Sequence, residues 1–178
     1  MRVNYEDFKY VIMLIDIRKN IVIFPISKSN FPYKSADGSI EDYGYFMAYY
    51  PIEIKYPYNA YELAEKIKCG IDMWNKYPCY MEQENNKLTF EEKYYGIKGF
   101  KNAMKGNLHI RLGWNDIQKK FVSIYAPLKR GYAYIGLDET QLSDDAGWIE
   151  FAKVVIEYIN MDITKLRSFK IYKSKLNL

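Results

Sequence analysis

One histidine, two cysteines and no long apolar run set the first limits on this chain of 178 residues. With His109 alone, no histidine pair exists to serve as acid and base or to share a metal ion. On a strand beside Arg111 it reads as a surface or edge residue. Cys69 and Cys79 are far too few for the framework of a small secreted fold, so reduced cytosolic thiols are expected. Cys69 lies near the apolar stripe of its helix and reads as a small core residue, whereas Cys79 follows Pro78 in a loop and is expected to be the more reactive thiol. With no C-x-x-C pair and no histidine partner, neither points to zinc or to an activated nucleophile. The apolar run Val11 to Ile15 is too short for a signal or a membrane helix. A soluble, cytoplasmic protein without a membrane partner is expected.

The sequence also lacks the glycine-rich dinucleotide fingerprint, the P-loop, G-x-S-x-G and H-E-x-x-H. "YGIKGF" carries Gly96 and Gly99, but inside a helical pattern. With 22 acids in the chain, neighbours such as Glu41-Asp42 or Asp144-Asp145 do not by themselves make a catalytic dyad. No catalytic residue, metal or cofactor is assigned, and no enzyme activity is expected.

What is present is apolar and aromatic: 49% hydrophobic residues and 19 tyrosines, enough for one folded domain with a sizeable core. The net charge of +4 is unevenly placed. From about residue 161 the C-terminal tail carries Lys165, Arg167, Lys170, Lys173 and Lys175 against Asp162, which accounts for the whole excess. The body is therefore neutral, and a global basic field for nucleic acid is not supported. The tail segment "FKIYKSKL" interleaves aromatics with cations; it reads either as a solvated edge strand or as an RNA-binding element.

Periodicity predicts a hairpin, "YVIMLIDI" and "IVIFPIS" joined by Arg18-Lys19-Asn20, then a long loop from Ser27 to Gly44. One or two strands broken at Pro51 follow. A helix capped by Asn59 carries the stripe Ala60, Leu63, Ala64, Ile67, Ile71 and Trp74. A second helix is predicted from Thr89, paired with Glu92 in a capping box, to Gly106, with Phe90, Tyr94, Ile97, Phe100 and Met104 on one face. Leu108, Ile110 and Leu112 alternate with His109 and Arg111 as a half-buried strand. Two more strands lead to a last helix, from Ser143 or Asp144 to about Asn160, with Trp148, Ala152, Val155 and Ile159 inward. Strands, helices, strands and a helix in that order predict a single α+β domain, mainly antiparallel sheet packed with about three helices.

The segment Gly136 to Glu150 holds Asp138, Glu139, Asp144, Asp145 and Glu150 without a cation. Asp144 and Asp145 suit the first turn of a helix, where acids complement its dipole. Asp138 and Glu139 precede the helix, so the patch serves either solvation or a basic partner. A second acidic loop holds Asp37, Glu41 and Asp42, flanked by Tyr33, Tyr43 and Tyr45.

From about Gly131 to Ile159, "GYAYIGLDET" followed by "LSDDAGWIEFAKVVIEYI" as the last amphipathic helix resembles the CdiI immunity proteins of contact-dependent growth inhibition in Gram-negative bacteria. The β-rich first part and the aromatic, lysine-rich chain without cofactor signatures are similar to that class more loosely. The resemblance implies a cytoplasmic protein that binds and neutralises the C-terminal toxin domain of a CdiA effector, commonly a nuclease acting on RNA. It carries no catalytic residue to this chain. Carboxylates from Asp138, Glu139, Asp144, Asp145 or from Asp37, Glu41 and Asp42 would occupy the cationic site that holds phosphate, with Tyr33 and Tyr43 as anchors. Because the chain is +4, such inhibition would act through a local acidic face. Direct nucleic-acid binding is not expected on this reading; the alternative is an RNA-binding module that uses the basic tail.

Overall fold

The computed structural model describes residues 8–29, 33–34, 40–41, 44–79, 90–103, 107–115, 117, 120–127, 132–136 and 145–160. Its centre is the hairpin of β1 (Phe8–Ile15) and β2 (Ile21–Lys28), antiparallel with Val11 opposite Pro25 and Ile15 opposite Ile21. The turn is tied by Asp16. Its Oδ1 accepts from the Arg18 and Asn20 backbone N–H groups at 2.8 and 2.9 Å, and its Oδ2 accepts from Asn20 Nδ2 at 2.9 Å. This Asx-type cap lets Lys19 take φ +65°, a conformation a lysine rarely adopts unaided.

The sheet grows outward from both strands. β5 (Tyr45–Met47) pairs with the end of β2 and β6 (Ile52–Ile54) with its start, both antiparallel, with Pro51 between them. On the other side β1 pairs with β7 (Leu108–Asn115), which leads to β8 (Lys120–Pro127) and β9 (Tyr132–Gly136). The order is β5-β2-β1-β7-β8-β9, with β6 also on β2. β3 (Tyr33–Lys34) and β4 (Ile40–Glu41) form a separate two-stranded ribbon inside the segment expected to be loop.

Helix α1 (Ala60–Asp72) begins where Asn59 Oδ1 accepts from the Glu62 N–H at 2.9 Å, as the cap pattern predicts. It buries Leu63, Ala64, Ile67 and Ile71 on one face of the sheet, against Val11, Met13, Ile23 and Ile110. Helix α4 (Asp145–Asn160) lies beside it and adds Phe151, Ala152, Val155 and Ile159 to the same core. Trp148 stacks at a tilt on Trp114, with centroids 4.9 Å apart. The architecture is one α+β domain of antiparallel sheet and helices. No helix among the described residues is long and apolar enough to cross a membrane.

Three expectations are corrected. The predicted second helix is two pieces, α2 (Phe90–Tyr95) and α3 (Phe100–Ala103). Gly96 and Gly99, at φ +65° and +92°, break it. The Glu92 carboxylate accepts from the Gly99 N–H, Ile97 is left exposed, and Thr89, the expected capping partner, lies outside the described residues. Trp74 lies past the end of α1, where Asn75 turns the chain at φ +59°, and it packs on the opposite face of the sheet. Cys79 is fully buried, because it bridges to Ala48 in an antiparallel pair. Cys69 is half-buried. The expected order of thiol reactivity therefore reverses: Cys69 should react first with a disulfide reagent, and Cys79 only as the fold opens. Mass mapping of the singly labelled protein checks this.

Gly70 shows how closely α1 sits. A Cβ there would meet Val11 Cγ1 at 3.0 Å and Ile23 Cγ2 at 3.1 Å. Both neighbours are branched at Cβ and held in central strands, so neither can turn away. Gly70→Ala gains about 1 kcal/mol of helix propensity but costs roughly 1–3 kcal/mol in overpacking. The expected result is a net loss of about 1 kcal/mol in denaturant unfolding, although the same change in an exposed helix would stabilise.

Candidate functional site

The two faces of the sheet differ. Ile12, Leu14, Val22, Phe24 and Ile26 point away from α1 and α4, and there they meet aromatics. Phe24 packs edge-on against Phe90 at 4.4 Å and Tyr94 at 5.3 Å. Further along β1 the same face carries Tyr10. In the β1–β7 register Tyr10 stands opposite Gly113, and Arg111 is opposite Ile12. Because Gly113 has no side chain, the diagonal neighbour Arg111 lays its guanidinium over the Tyr10 ring, 4.1 Å from the centroid.

The row continues across the sheet. Trp74, just past α1, meets Tyr10 edge-to-face at 5.3 Å and stacks on Tyr45 of β5, also at 5.3 Å. The Tyr10 hydroxyl donates to the Tyr45 carbonyl at a long 3.5 Å. Arg111 is exposed, and Tyr10, Trp74 and Tyr45 are half-buried. Burial pushes the Tyr10 hydroxyl pKa up, and Arg111 offsets part of that rise. The hydroxyl therefore stays protonated at neutral pH.

Two residues from Arg111 on the same face, His109 has its pKa pushed down from 6.5 to about 4, first by burial and then by the Arg111 charge. It is a neutral, largely buried ring at pH 7, not the edge residue expected.

Most of the sequence-predicted site residues are not among the described residues. Asp37, Asp42, Tyr43, Asp138, Glu139 and Asp144 fall outside the described residues, as does the basic tail from 161. Tyr33 and Glu41 are brought directly opposite each other in the β3–β4 ribbon. Asp145 is the first residue of α4, where a helix favours an acid. Sequence reading missed Tyr10, Trp74 and Arg111 as a group. The period-two pattern of each strand hints at a face, but the group needs the β1–β7 pairing between residues a hundred positions apart.

No family model matches the sequence, and no curated protein does either. Among solved structures the chain is similar to a protein of unknown function from Neisseria meningitidis, at 10% identity and a TM-score of 0.41, over 87% of this chain and 99% of that one.

His109 gives a pH test. In the unfolded chain it takes a proton near pH 6.5, whereas in the fold it resists until about pH 4. Unfolding then takes up a proton between those values, so stability is full above pH 6.5, falls as pH drops through the window, and levels off below about 4. The effect is on the order of 3 kcal/mol. His109→Gln should flatten that part of the stability profile, measured by urea unfolding at a series of pH values.

Proposed function

We propose that this protein is an immunity protein of the contact-dependent growth inhibition type, which binds and neutralises the C-terminal toxin domain of a CdiA-type effector, an RNase. It acts by docking and not by chemistry of its own, in the cytoplasm of the cell it protects. The observation that carries the reading is the row Arg111, Tyr10, Trp74 and Tyr45 on the face of the sheet turned away from α1 and α4. Arginine, tyrosine and tryptophan are the residues that dominate binding energy at protein interfaces, provided they are held rigid and partly desolvated. Here each ring is fixed by the next, so little side-chain entropy remains to be lost on docking.

The acidic segment fits the same reading. A nuclease holds phosphate with cations, and carboxylates from Asp138 and Glu139 are charge-assisted acceptors for such groups. Their field would speed encounter, while the aromatic row would slow release. The basic tail then needs no nucleic acid.

The test begins at the gene neighbourhood, where a large secreted effector is expected, and continues by co-expression with the C-terminal domain of that effector. Growth should be restored, and the purified pair should bind. Arg111→Ala should weaken binding at least about tenfold with little change in melting temperature, because the side chain is exposed. The Asp138→Asn, Glu139→Gln double variant should lose affinity mainly through a slower association that high salt erases. Failure to protect, together with RNA affinity that falls steeply with salt, would assign the chain to RNA binding instead. Wild-type affinity in both variants would remove these surfaces from the interface.

A further inference from the structure

The other end of the same sheet face carries a cleft of about 200 Å³ beside the β1–β2 turn. Drug-sized ligands occupy roughly 300–1,000 Å³, so this space suits one side chain or a small amine and not a cofactor. Its apolar part is Leu14 and Val22 of the hairpin, and its aromatic part is Tyr94 and Tyr95 of α2. Two carboxylates, Asp16 and Glu53, face one cation, Lys55.

Both carboxylates are held in place. Asp16 is fixed by its three bonds to the turn. Glu53 Oε1 accepts from the Tyr94 hydroxyl at 2.7 Å. Lys55 is a loose partner: its ammonium is 3.9 Å from Glu53 Oε2 and its side chain is 77% exposed. A pair of that kind contributes little and yields readily to a competing cation. Tyr95 in the lining registers the negative field. Burial is the first cause that pushes its hydroxyl up to about 12, and the charges of Asp16 and Glu91 add to it.

The chemistry of the lining selects its ligand. An anion meets two carboxylates. A neutral donor can bond to a carboxylate but gains no attraction between opposite charges. A guanidinium or ammonium finds carboxylate acceptors and tyrosine rings, and its alkyl stem finds Leu14 and Val22. The borders of the cleft favour a polypeptide source. Ile17, which follows Asp16, is 80% exposed. It supplies apolar surface beside the turn for a backbone to lie on. We infer that this cleft receives the guanidinium or ammonium side chain of a polypeptide partner. The inference stands on the cleft itself and does not require that partner to be a toxin.

The test is a titration with three probes, followed by NMR of the Asn20 side-chain amide and the Tyr94 and Tyr95 rings. The probes are acetyl-Gly-Arg-Gly-amide, the same peptide with norleucine in place of arginine, and agmatine. The arginine peptide should give a saturable shift at these residues, weaker in high salt, and the norleucine peptide should give none. Glu53→Gln, which keeps an acceptor for Tyr94, should weaken the arginine peptide roughly tenfold. Lys55→Ala, which removes the competing ammonium, should tighten it several-fold; both variants leave the Asp16 turn intact. No saturable shift, or equal response to arginine and norleucine, would overturn the inference. Agmatine binding more tightly than the arginine peptide would assign the cleft to a free amine and overturn the polypeptide source.

Discussion

The structure depends on burying the β1–β2 hairpin on both of its faces. Val11 to Ile15 and Ile21 to Ser27 are buried without a break, so alternate residues feed two different cores. Antiparallel strands more often keep one wet face. Here the wet face is given up, and every other strand in the main sheet is registered, directly or through β7 and β8, against this hairpin. A one-residue slip would exchange the two sets of side chains, putting Ile12, Leu14 and Phe24 under α1. Asp16 guards against that slip. Its three hydrogen bonds are charge-assisted, each of a kind worth about 1.5–3 kcal/mol, and they fix the turn and hence the register.

The two cores are filled by different chemistry for a geometric reason. α1 and α4 span the sheet on one side, so aliphatic residues and Gly70 can pack there at close range. On the other side the described helix that packs is α2, six residues long. Six residues of helix do not span the strands, and among the described residues large rings do the rest. Tyrosine suits an incomplete layer, since its ring buries while its hydroxyl reaches water or a partner such as Glu53. Among the described residues, the aromatic character of this face thus follows from the shortness of the helix that packs on it.

Much of this was legible along the chain. The hairpin, the Asn59 cap, the α1 stripe through Ile71 and the inward face of α4 follow from local patterns that packing did not overrule. The failures share a cause. The Phe90-to-Met104 periodicity was real, but Gly96 and Gly99 had backbone conformations of their own to supply. Trp74 fitted the stripe by spacing, yet the helix stops before it. Cys79 looked like a loop residue because its partner, Ala48, lies thirty-one positions away. The aromatic row joins four segments, and the cleft joins the first hairpin to β6 and α2. Charge counting pointed to acid-rich runs, whereas Asp16 and Glu53 gain their setting only from the fold.

The row and the cleft are parts of one surface. Tyr10 belongs to the row, Leu14 lines the cleft, and both lie on the same face of β1. Four residue steps along the strand separate them, about 14 Å at roughly 3.4 Å per residue. A standard protein interface covers about 800 Å² on each partner, close to 30 Å across, enough for one footprint to include both. The two ends of that footprint are opposite in sign, with Arg111 beside Tyr10 at one and Asp16 with Glu53 at the other. A neutral body therefore does not mean a surface without electrostatic preference. Among the described residues, Arg111 at one end and the Asp16 and Glu53 pair at the other give this face two local preferences of opposite sign. The proposed docking role then calls for a partner that offers an acid toward Arg111 and a base toward the cleft, a condition that selects orientation as well as identity.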